Sequence, residues 1–323
     1  MSEDTESEQQ PQMDKTTQLF GVLPVVQTPF AGDGSIDVGA LDRELHWILD
    51  QHADGLATGM VSEIPRLTSE ERRLLAERVC AAANSRGRLA VISCGAESLR
   101  SAIAHALHAQ DNQAAGLMVN SPLTVALDDV ELHDYFSRII EATSLPVVVQ
   151  DASGYIGRPL SIGLQAQLFS EFGERVAFKP EAPPIGPTLS RLRDATGAGA
   201  AIFEGSGGAS IIDSYRRGIV GTMPGAEVCW AVRTLWDAVR AGDWALAYRI
   251  SGPLNTLVAM QTTVDGYVAL EKHILWRQGV LPANARRPPN GFSVDPETAA
   301  EVDRLVGQLA DAVGRDPLPP ADT

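Results

Sequence analysis

The chain has 323 residues, of which 44% are hydrophobic, and this is enough to bury the core of one α/β barrel or of two average domains. Its formal net charge of −15 repels phosphate backbones, which argues against nucleic acid as a partner. The cysteines, at positions 80, 94 and 229, are too few and too scattered for a disulfide framework or a zinc cluster.

The sequence shows no pattern typical of a membrane span or a signal peptide. No apolar run approaches the roughly 20 residues that a membrane helix requires. Residues 1–15 are polar and acidic, without the positive-then-apolar order of a signal peptide. We therefore expect a soluble cytoplasmic protein with a disordered acidic tail at residues 1–17 and a second disordered tail at residues 316–323.

From residue 21 onward, short β-branched runs alternate with amphipathic helical segments. Eight strands separated by helices predict a parallel sheet with right-handed crossovers, and eight is the number of strands that closes a barrel. We therefore predict an α/β fold with a (β/α)8 TIM barrel over residues 18–241. The predicted strands cover residues 22–27, 55–60, 89–93, 116–120, 147–151, 176–179, 201–204 and 219–223.

After residue 227 the pattern predicts helices alone. The first of them is expected to be the eighth barrel helix, and the others to form a C-terminal helical region over residues 242–315. No internal repeat and no internal linker marks a second domain of barrel size. These helices are predicted over residues 228–241, 244–250, 254–277 and 296–313.

Polar and glycine-rich residues follow the carboxyl ends of the predicted strands, where barrel enzymes carry their chemistry. At the sixth strand, Lys179 and Glu181 project to the same face because side chains alternate along a strand. A partly desolvated lysine can attack a ketone, and a carboxylate can move protons. The same pattern also fits a lysine that reaches solvent and a carboxylate that serves only as its counter-ion.

The run Gly-Ser-Gly-Gly at residues 205–208 follows the seventh predicted strand. Its backbone N–H groups can hold a carboxylate or phosphate, or the glycines can serve only a tight turn. The run lacks the order of a dinucleotide site, which argues against a nicotinamide cofactor. The six histidines fall mostly in predicted helices without ligand spacing, so no metal is expected either.

Motifs at four predicted strands occur together in a recognisable order. They are residues 21–30, Gly-Met-Val-Ser-Glu at 59–63 with Leu-Thr-x-x-Glu-Arg at 67–72, Phe-Lys at 178–179, and residues 217–224. Over residues 19–287 the chain resembles the dihydrodipicolinate synthase / N-acetylneuraminate lyase superfamily of Schiff-base barrels. The resemblance implies a covalent imine on Lys179, no cofactor beyond it, a small-molecule 2-keto acid as substrate, and a homo-oligomer, either a tetramer or a dimer.

The chain departs from the usual family motifs at two places. Met60 and Val61 stand where the family usually has hydroxyl side chains that help to hold the keto-acid carboxylate. Gln150 stands where a family tyrosine relays protons, and an amide cannot exchange a proton near neutral pH. A glutamine there, together with Lys-x-Glu, resembles the branch typified by 2-keto-3-deoxy-L-arabonate dehydratase, which implies that Glu181 acts as acid and base. Tyr155 lies near the place where many synthases carry a carboxylate-binding arginine.

The resemblance thus implies a Schiff-base lyase that dehydrates a 2-keto-3-deoxy sugar acid. The alternatives, in order, are an aldolase that cleaves or forms a C–C bond to pyruvate, a non-catalytic keto-acid sensor, and a structural or partner-binding protein. The catalytic residues are expected to be Lys179 and Glu181. The expected substrate-binding residues are Gly59, Met60, Val61, Ser62, Gln150, Tyr155, Ser206, Gly207, Gly208 and Val220.

Overall fold

The computed structural model describes residues 18–316. The disordered tail predicted at residues 1–17 lies outside the described part of the chain. The tail predicted at residues 316–323 also lies outside it, except for its first residue. Among the described residues, no helix is both long and apolar enough to cross a membrane.

Eight parallel strands form a single sheet in the order β1-β8-β7-β6-β5-β4-β3-β2. A parallel bridge between Val25 and Ala57 joins the two ends of this order, so the sheet closes. The predicted TIM barrel is therefore confirmed. The strands are β1 Gly21–Val22, β2 Gly55–Ala57, β3 Leu89–Ser93, β4 Gly116–Asn120, β5 Val147–Asp151, β6 Val176–Pro180, β7 Ala201–Glu204 and β8 Gly221–Thr222.

Helices alternate with the strands around the barrel, and three more follow the eighth. Polar side chains cap the starts of several helices: Thr68 caps α2 in a capping box with Glu71, and Asp128 caps α4. The helices are α1 Val38–Asp50, α2 Ser69–Ser85, α3 Leu99–Asp111, α4 Asp129–Ala142, α5 Ile162–Phe172, α6 Ile185–Ala195, α7 Ile211–Arg216, α8 Cys229–Ala241, α9 Trp244–Ala259, α10 Val264–Arg277 and α11 Pro296–Val313.

The predicted helix over residues 254–277 is wrong. Helix α9 continues through Pro253 as far as Ala259, and α10 begins only at Val264. The boundary lies at Thr263, whose side chain accepts a hydrogen bond from the backbone N–H of Gly266 at 3.0 Å. This N-cap starts a new helix, so α10 changes direction and packs against the 3₁₀ turn Met60–Ser62 at the mouth of the barrel.

Side chains of the strands alternate between the barrel interior and the helix layer. Val148 and Ala177 belong to the interior cluster, while Val149 and Phe178 pack outward in the larger core under the helices. Two residues after Ala177 comes Lys179, which therefore also faces the interior. The barrel register places Gln150 of β5 beside Lys179 of β6.

Candidate active site

Lys179 and Glu181 lie side by side inside the barrel at the carboxyl end of β6. The strand ends at Pro180, but the backbone N–H of Glu181 still donates to the carbonyl of Asp151 on β5 at 3.0 Å. This bond keeps Glu181 in register with the neighbouring strand. The Nζ of Lys179 is 2.7 Å from Oε1 of Glu181, and each side chain is 4% exposed. The two form an ion pair that is shielded from solvent.

Gly205, at the end of β7, allows its loop to approach this pair. A methyl group at Gly205 would lie 2.7 Å from Cγ of Glu181 and 2.8 Å from Cε of Lys179. Both are closer than carbon atoms pack, so any larger residue would displace the pair. The first glycine of the run at 205–208 thus allows the loop to approach the ion pair closely, and does not serve only a turn.

Gln150 holds the second oxygen of the Glu181 carboxylate. Its Nε2 donates to Oε2 of Glu181 at 2.8 Å, and both side chains are buried. Among the described residues, Oε1 of Gln150 has no hydrogen-bond partner. The amide therefore fixes the carboxylate beside the amine and keeps a free acceptor in the cavity.

Burial raises the pKa of Glu181 above its usual range, while the neighbouring Lys179 and the hydrogen bond from Gln150 oppose this shift. A carboxylate with a raised pKa is a stronger base, and Lys179 lies within hydrogen-bond distance of it. Glu181 can therefore take the proton of the ammonium group. A neutral amine is the form of lysine that attacks a carbonyl carbon.

The pair lines a narrow cavity of about 50 Å³. Six of the ten expected substrate-binding residues line this cavity: Gly59, Met60, Val61, Gln150, Tyr155 and Gly207. A second cavity of about 400 Å³ adjoins it and shares Met60, Tyr155 and Val264, with otherwise mainly apolar walls. A small polar group fits beside Lys179, and the rest of a longer molecule can extend into the outer cavity.

Two of the other expected residues, Ser206 and Gly208, serve the fold of their own loop. The backbone N–H groups of Ser206 and Gly208 donate to the carboxylate of Glu204 at 2.9 and 3.2 Å, and the Ser206 hydroxyl donates to it as well. The hydroxyl of Thr222 is a further donor at 2.6 Å. Ser206 and Gly208 do not line the cavity, and Glu204 occupies their donors, so their expected contact with substrate stays a prediction.

Ser62 and Val220 do not line the cavity either, and their expected contact with substrate also stays a prediction. The Ser62 hydroxyl donates to the carbonyl of Val26 at 2.5 Å and accepts from the N–H of Gly59 at 3.1 Å, so it braces the turn beneath the cavity. Val220 precedes β8 and packs against the barrel interior near Leu19. It is therefore at the amino-terminal end of the strands, opposite the cavity.

Tyr155 meets a second tyrosine that the sequence analysis did not single out, Tyr267 of α10. Their hydroxyl groups are 3.4 Å apart and their rings meet edge to face. Burial raises the pKa of Tyr155 above its usual range and that of Tyr267 to about 12. Both phenols therefore keep their protons at neutral pH. The Tyr155 hydroxyl donates to that of Tyr267, which leaves the Tyr267 proton to donate into the cavity.

Glu271, also on α10, lines the cavity and was missed too. It comes 92 residues after Lys179 in a helix whose residues are mostly buried, so periodicity does not distinguish it. Its neighbour Lys272 pairs with Glu63 at 2.5 Å. The only sequence signal was a pair of adjacent charged residues in a mostly buried helix.

The described residues contain no group of three or more His, Cys, Asp or Glu side chains that could hold a metal ion. Glu63, for example, accepts hydrogen bonds from Lys272 and from the backbone N–H of Arg287 at 3.0 Å.

The fold and the cavity define an α/β barrel with a buried amine, an adjoining carboxyl group and room for a small polar molecule. The chain belongs to the dihydrodipicolinate synthetase family, whose model matches residues 18–309. The resemblance stated from the motifs is confirmed. Members of this family are lyases that work through a covalent lysine Schiff base without an external cofactor, which agrees with the expected chemistry.

Known relatives cover nearly the whole chain. An L-2-keto-3-deoxyarabonate dehydratase from Azospirillum brasilense is 27% identical over 295 residues, 90% of this chain and 94% of the relative. A 4-hydroxy-tetrahydrodipicolinate synthase from Mycolicibacterium paratuberculosis is 26% identical over 309 residues, 92% and 96% of the two chains. The crystal structure of a dihydrodipicolinate synthase from Rhodopseudomonas palustris superposes with a TM-score of 0.83 at 24% identity, over 91% and 99% of the two chains.

Proposed function

We propose that this protein dehydrates a 2-keto-3-deoxy sugar acid through an imine on Lys179, with Glu181 as the base. The observation that carries the proposal is the Lys179–Glu181–Gln150 arrangement. A carboxyl group 2.7 Å from the amine is oriented by an amide, at the place where the resemblance would put a proton-relaying tyrosine. The similarity to the Azospirillum brasilense dehydratase supports the same reaction.

The reaction begins when Glu181 takes a proton from Lys179 and the neutral amine attacks the C2 ketone. Glu181 returns that proton to the hydroxyl of the carbinolamine, which leaves as water and gives the protonated imine. The imine is an electron sink that makes the C3 hydrogens acidic. Glu181, ionised again, removes a C3 proton to form the enamine. The enamine then expels the C4 hydroxyl, to which Glu181 returns the proton so that it leaves as water, and hydrolysis of the imine releases the dehydrated keto acid.

The substrate carboxylate is proposed to lie at the turn that follows β2. Met60 and Val61 open the 3₁₀ turn Met60–Ser62 and line the cavity. Their side chains carry no donors, so the carboxylate would be held by backbone N–H groups at the start of the turn. Tyr155 lies at the border between the two cavities and donates to Tyr267, whose own proton is then a donor to the hydroxyls of the sugar acid.

An aldolase that cleaves the C3–C4 bond is the second candidate. The similarity to 4-hydroxy-tetrahydrodipicolinate synthases favours it, since the same imine would serve. Cleavage requires a base that removes the proton of the C4 hydroxyl, whereas dehydration requires an acid that protonates it. Gln150, which stands in the place of the usual tyrosine, can do neither.

The test is borohydride trapping with pyruvate and with 2-keto-3-deoxypentonate, followed by mass mapping. The sequence contains only three lysines, Lys15, Lys179 and Lys272, so the adduct can be assigned without ambiguity. We expect one adduct on Lys179 and none in Lys179→Arg. Lys272, buried in its own ion pair, is the internal control. Product analysis then distinguishes dehydrated keto acid from pyruvate plus aldehyde. An adduct on another lysine, or none with a broad panel of keto acids, contradicts the proposal.

The proposed enzyme is a homo-oligomer, a tetramer or a dimer, as the family resemblance implies. Light scattering coupled to size-exclusion chromatography measures this directly. A mass of one chain at micromolar concentration would contradict it.

A further inference from the structure

A second carboxyl group, Glu271, faces the cavity that contains Lys179 and Glu181. It is 2% exposed, and its Oε2 accepts a hydrogen bond from Nε2 of Gln27 at 2.5 Å. Behind it lies Glu227, which is 4% exposed and whose Oε2 has no hydrogen-bond partner among the described residues. The reaction proposed above uses neither group.

Gly225 shows how closely the two carboxyl groups approach each other. A methyl group there would come within 3.0 Å of both Oε2 of Glu227 and Oε1 of Glu271. The two oxygens therefore lie within a few ångström of each other, with only a glycine backbone beside them. Two carboxylates at such a distance cannot both be ionised at low cost, so the pair holds a proton between them.

The charge balance of the interior leads to the same result. Among the described residues, six glutamates are buried but only two lysines. Lys179 and Lys272 pair with Glu181 and Glu63, so they do not neutralise the others. Glu204 accepts three hydrogen bonds from its own loop and one from Thr222 of β8, as described above. Glu44, Glu227 and Glu271 form no ion pair with the described residues, and burial without an ion pair favours the neutral carboxyl form.

We propose that Glu271, kept protonated by its contact with Glu227, is the catalytic acid that protonates the departing C4 hydroxyl. This inference rests on the proposed dehydration and divides its proton transfers between two groups. Glu181 accepts the C3 proton as the C3–H bond breaks, and the electron pair forms the enamine. The C4–O bond then breaks as Glu271 donates its proton, and water leaves. The proton on Glu181 returns to Glu271 through this water, which restores both groups.

The electrostatic surroundings of Glu271 fit this role. Burial and the nearby Glu227 hold the pKa of Glu271 well above its usual range, and burial raises that of Glu227 to about 7. Glu271 therefore carries a proton at the pH where Glu181 is needed as a base beside Lys179. The titratable groups that act on or face Glu271 are Glu227 after β8, Glu44 of α1, Lys179 and Glu181 of β6, and Tyr267 of α10.

The test compares the natural leaving group with one that needs no acid. Fluoride leaves carbon without a proton, so a 4-deoxy-4-fluoro analogue of the 2-keto-3-deoxypentonate removes the need for Glu271. For Glu271→Gln we expect dehydration of the hydroxy acid to slow by about 100-fold or more, the usual contribution of a general acid. Fluoride release from the analogue should stay within about threefold of wild type, and borohydride trapping on Lys179 should be unchanged.

A matched control and a second variant complete the experiment. Glu44→Gln removes a buried carboxyl group that does not line the cavity, and near pH 6 it should dehydrate the hydroxy acid at nearly the wild-type rate. Glu227→Gln should move the alkaline limb of the pH–rate profile to lower pH for the hydroxy acid, because Glu271 then loses its proton more easily.

If Glu271→Gln slows the reactions of both substrates equally, or slows neither, Glu271 is not the acid. The proposed dehydration is not affected by that result. A wild-type enzyme that forms no dehydrated product overturns both proposals.

Discussion

Glu181 is the residue on which the choice of chemistry depends. If it is the base at C3, its removal should affect proton transfer far more than imine formation. We expect Glu181→Gln to lose at least about 100-fold in the exchange of the pyruvate methyl hydrogens for deuterium, because exchange requires a base beside the imine. Proton NMR in D₂O measures this rate, and borohydride trapping in the same sample reports the imine. Exchange at the wild-type rate would show that another group removes the proton.

Whether a site residue could be predicted from the sequence depends on which contacts hold it in place. Lys179, Glu181 and Gln150 are neighbours on adjacent strands, and strand alternation alone places them on one face. Ser206 and Gly208 appeared free because nothing in a sequence shows that Glu204, at the end of the same strand, folds back onto their donors. Glycine and serine after a strand fit a ligand loop and a carboxylate-capped turn equally well.

Glu271 could not be predicted because its role depends on distant parts of the chain. The cavity brings it to Lys179 across 92 residues, and Gln27 reaches it across 244. Its helix is buried on nearly every side, so no apolar stripe marks the face that meets the cavity. Only tertiary packing distinguishes a buried catalytic acid from a buried structural one.

At the scale of elements, interior strands and capped helices were predicted better than the ends of the barrel. β3, β4, β5 and β7 have the predicted bounds, because their continuous apolar runs end at turn residues. β1 and β8 are only two residues long, since Pro24 and Pro224 cannot donate to the ladder. The break before α10 was missed because Thr263, which caps the helix, lies between two helical patterns.

Helix α10 is tied to the barrel by one buried lysine. Lys272 is fully buried and donates to Glu63 at 2.5 Å, to the carbonyl of Thr28 at 2.6 Å and to that of Ala285 at 2.9 Å. In Lys272→Met the Glu63 carboxylate loses its shorter ion pair and keeps only Arg66, at 3.5 Å, while it stays buried. We expect the free energy of unfolding to fall by about 3–5 kcal/mol, the usual effect of breaking a buried pair from one side. Chemical denaturation of both proteins measures it.

Arg304→Met provides the matched control for Lys272→Met. Arg304 pairs with Glu301 on the surface of α11, with side chains 63% and 43% exposed. Its loss should change the free energy of unfolding by less than about 1 kcal/mol. If the free energy of unfolding falls by the same amount in both variants, the burial of Lys272 does not make its loss more destabilising. Partial recovery in a Lys272→Met/Glu63→Gln double variant would identify the charge of the buried Glu63 carboxylate as the cause.

At the scale of the whole molecule, the barrel gathers its buried carboxyl groups at one end. Glu44, Glu227 and Glu271 come from α1, the loop after β8 and α10, and they approach one another through Gln27 and Gly225. The surface is acidic as well, since the net charge is −15. Repulsion between surface charges and the loss of protons from buried carboxyl groups thus both lower the stability of the folded protein at alkaline pH. The pKa values of the buried groups set the pH at which stability begins to fall.

Stability should therefore fall between about pH 7 and about pH 8.5. Burial raises the pKa of Glu44 to about 8 and that of Glu227 to about 7, from an ordinary value of 4.5. In this range the native protein still holds protons that the unfolded chain has released, so each step to higher pH favours unfolding. Glu71 and His105, whose pKa values are lowered to about 2 and about 4, titrate below this range in the folded protein. We expect a loss of about 1–2 kcal/mol, or a few degrees in Tm.

Differential scanning calorimetry at several pH values, with Glu44→Gln beside the wild type, tests this expectation. An amide at position 44 carries no proton to lose, so the variant should show a flatter decline of Tm across the same range. The backbone N–H of Gln27, which donates to Glu44 at 2.7 Å, can still donate to the amide oxygen, so the fold should be retained. A wild-type Tm that stays constant or rises with pH would mean that Glu44 and Glu227 are already ionised in the native barrel. An ionised Glu227 would still favour the proton on Glu271, so this outcome would contradict the protonated state of Glu44 and Glu227 and not the acid proposed for the active site.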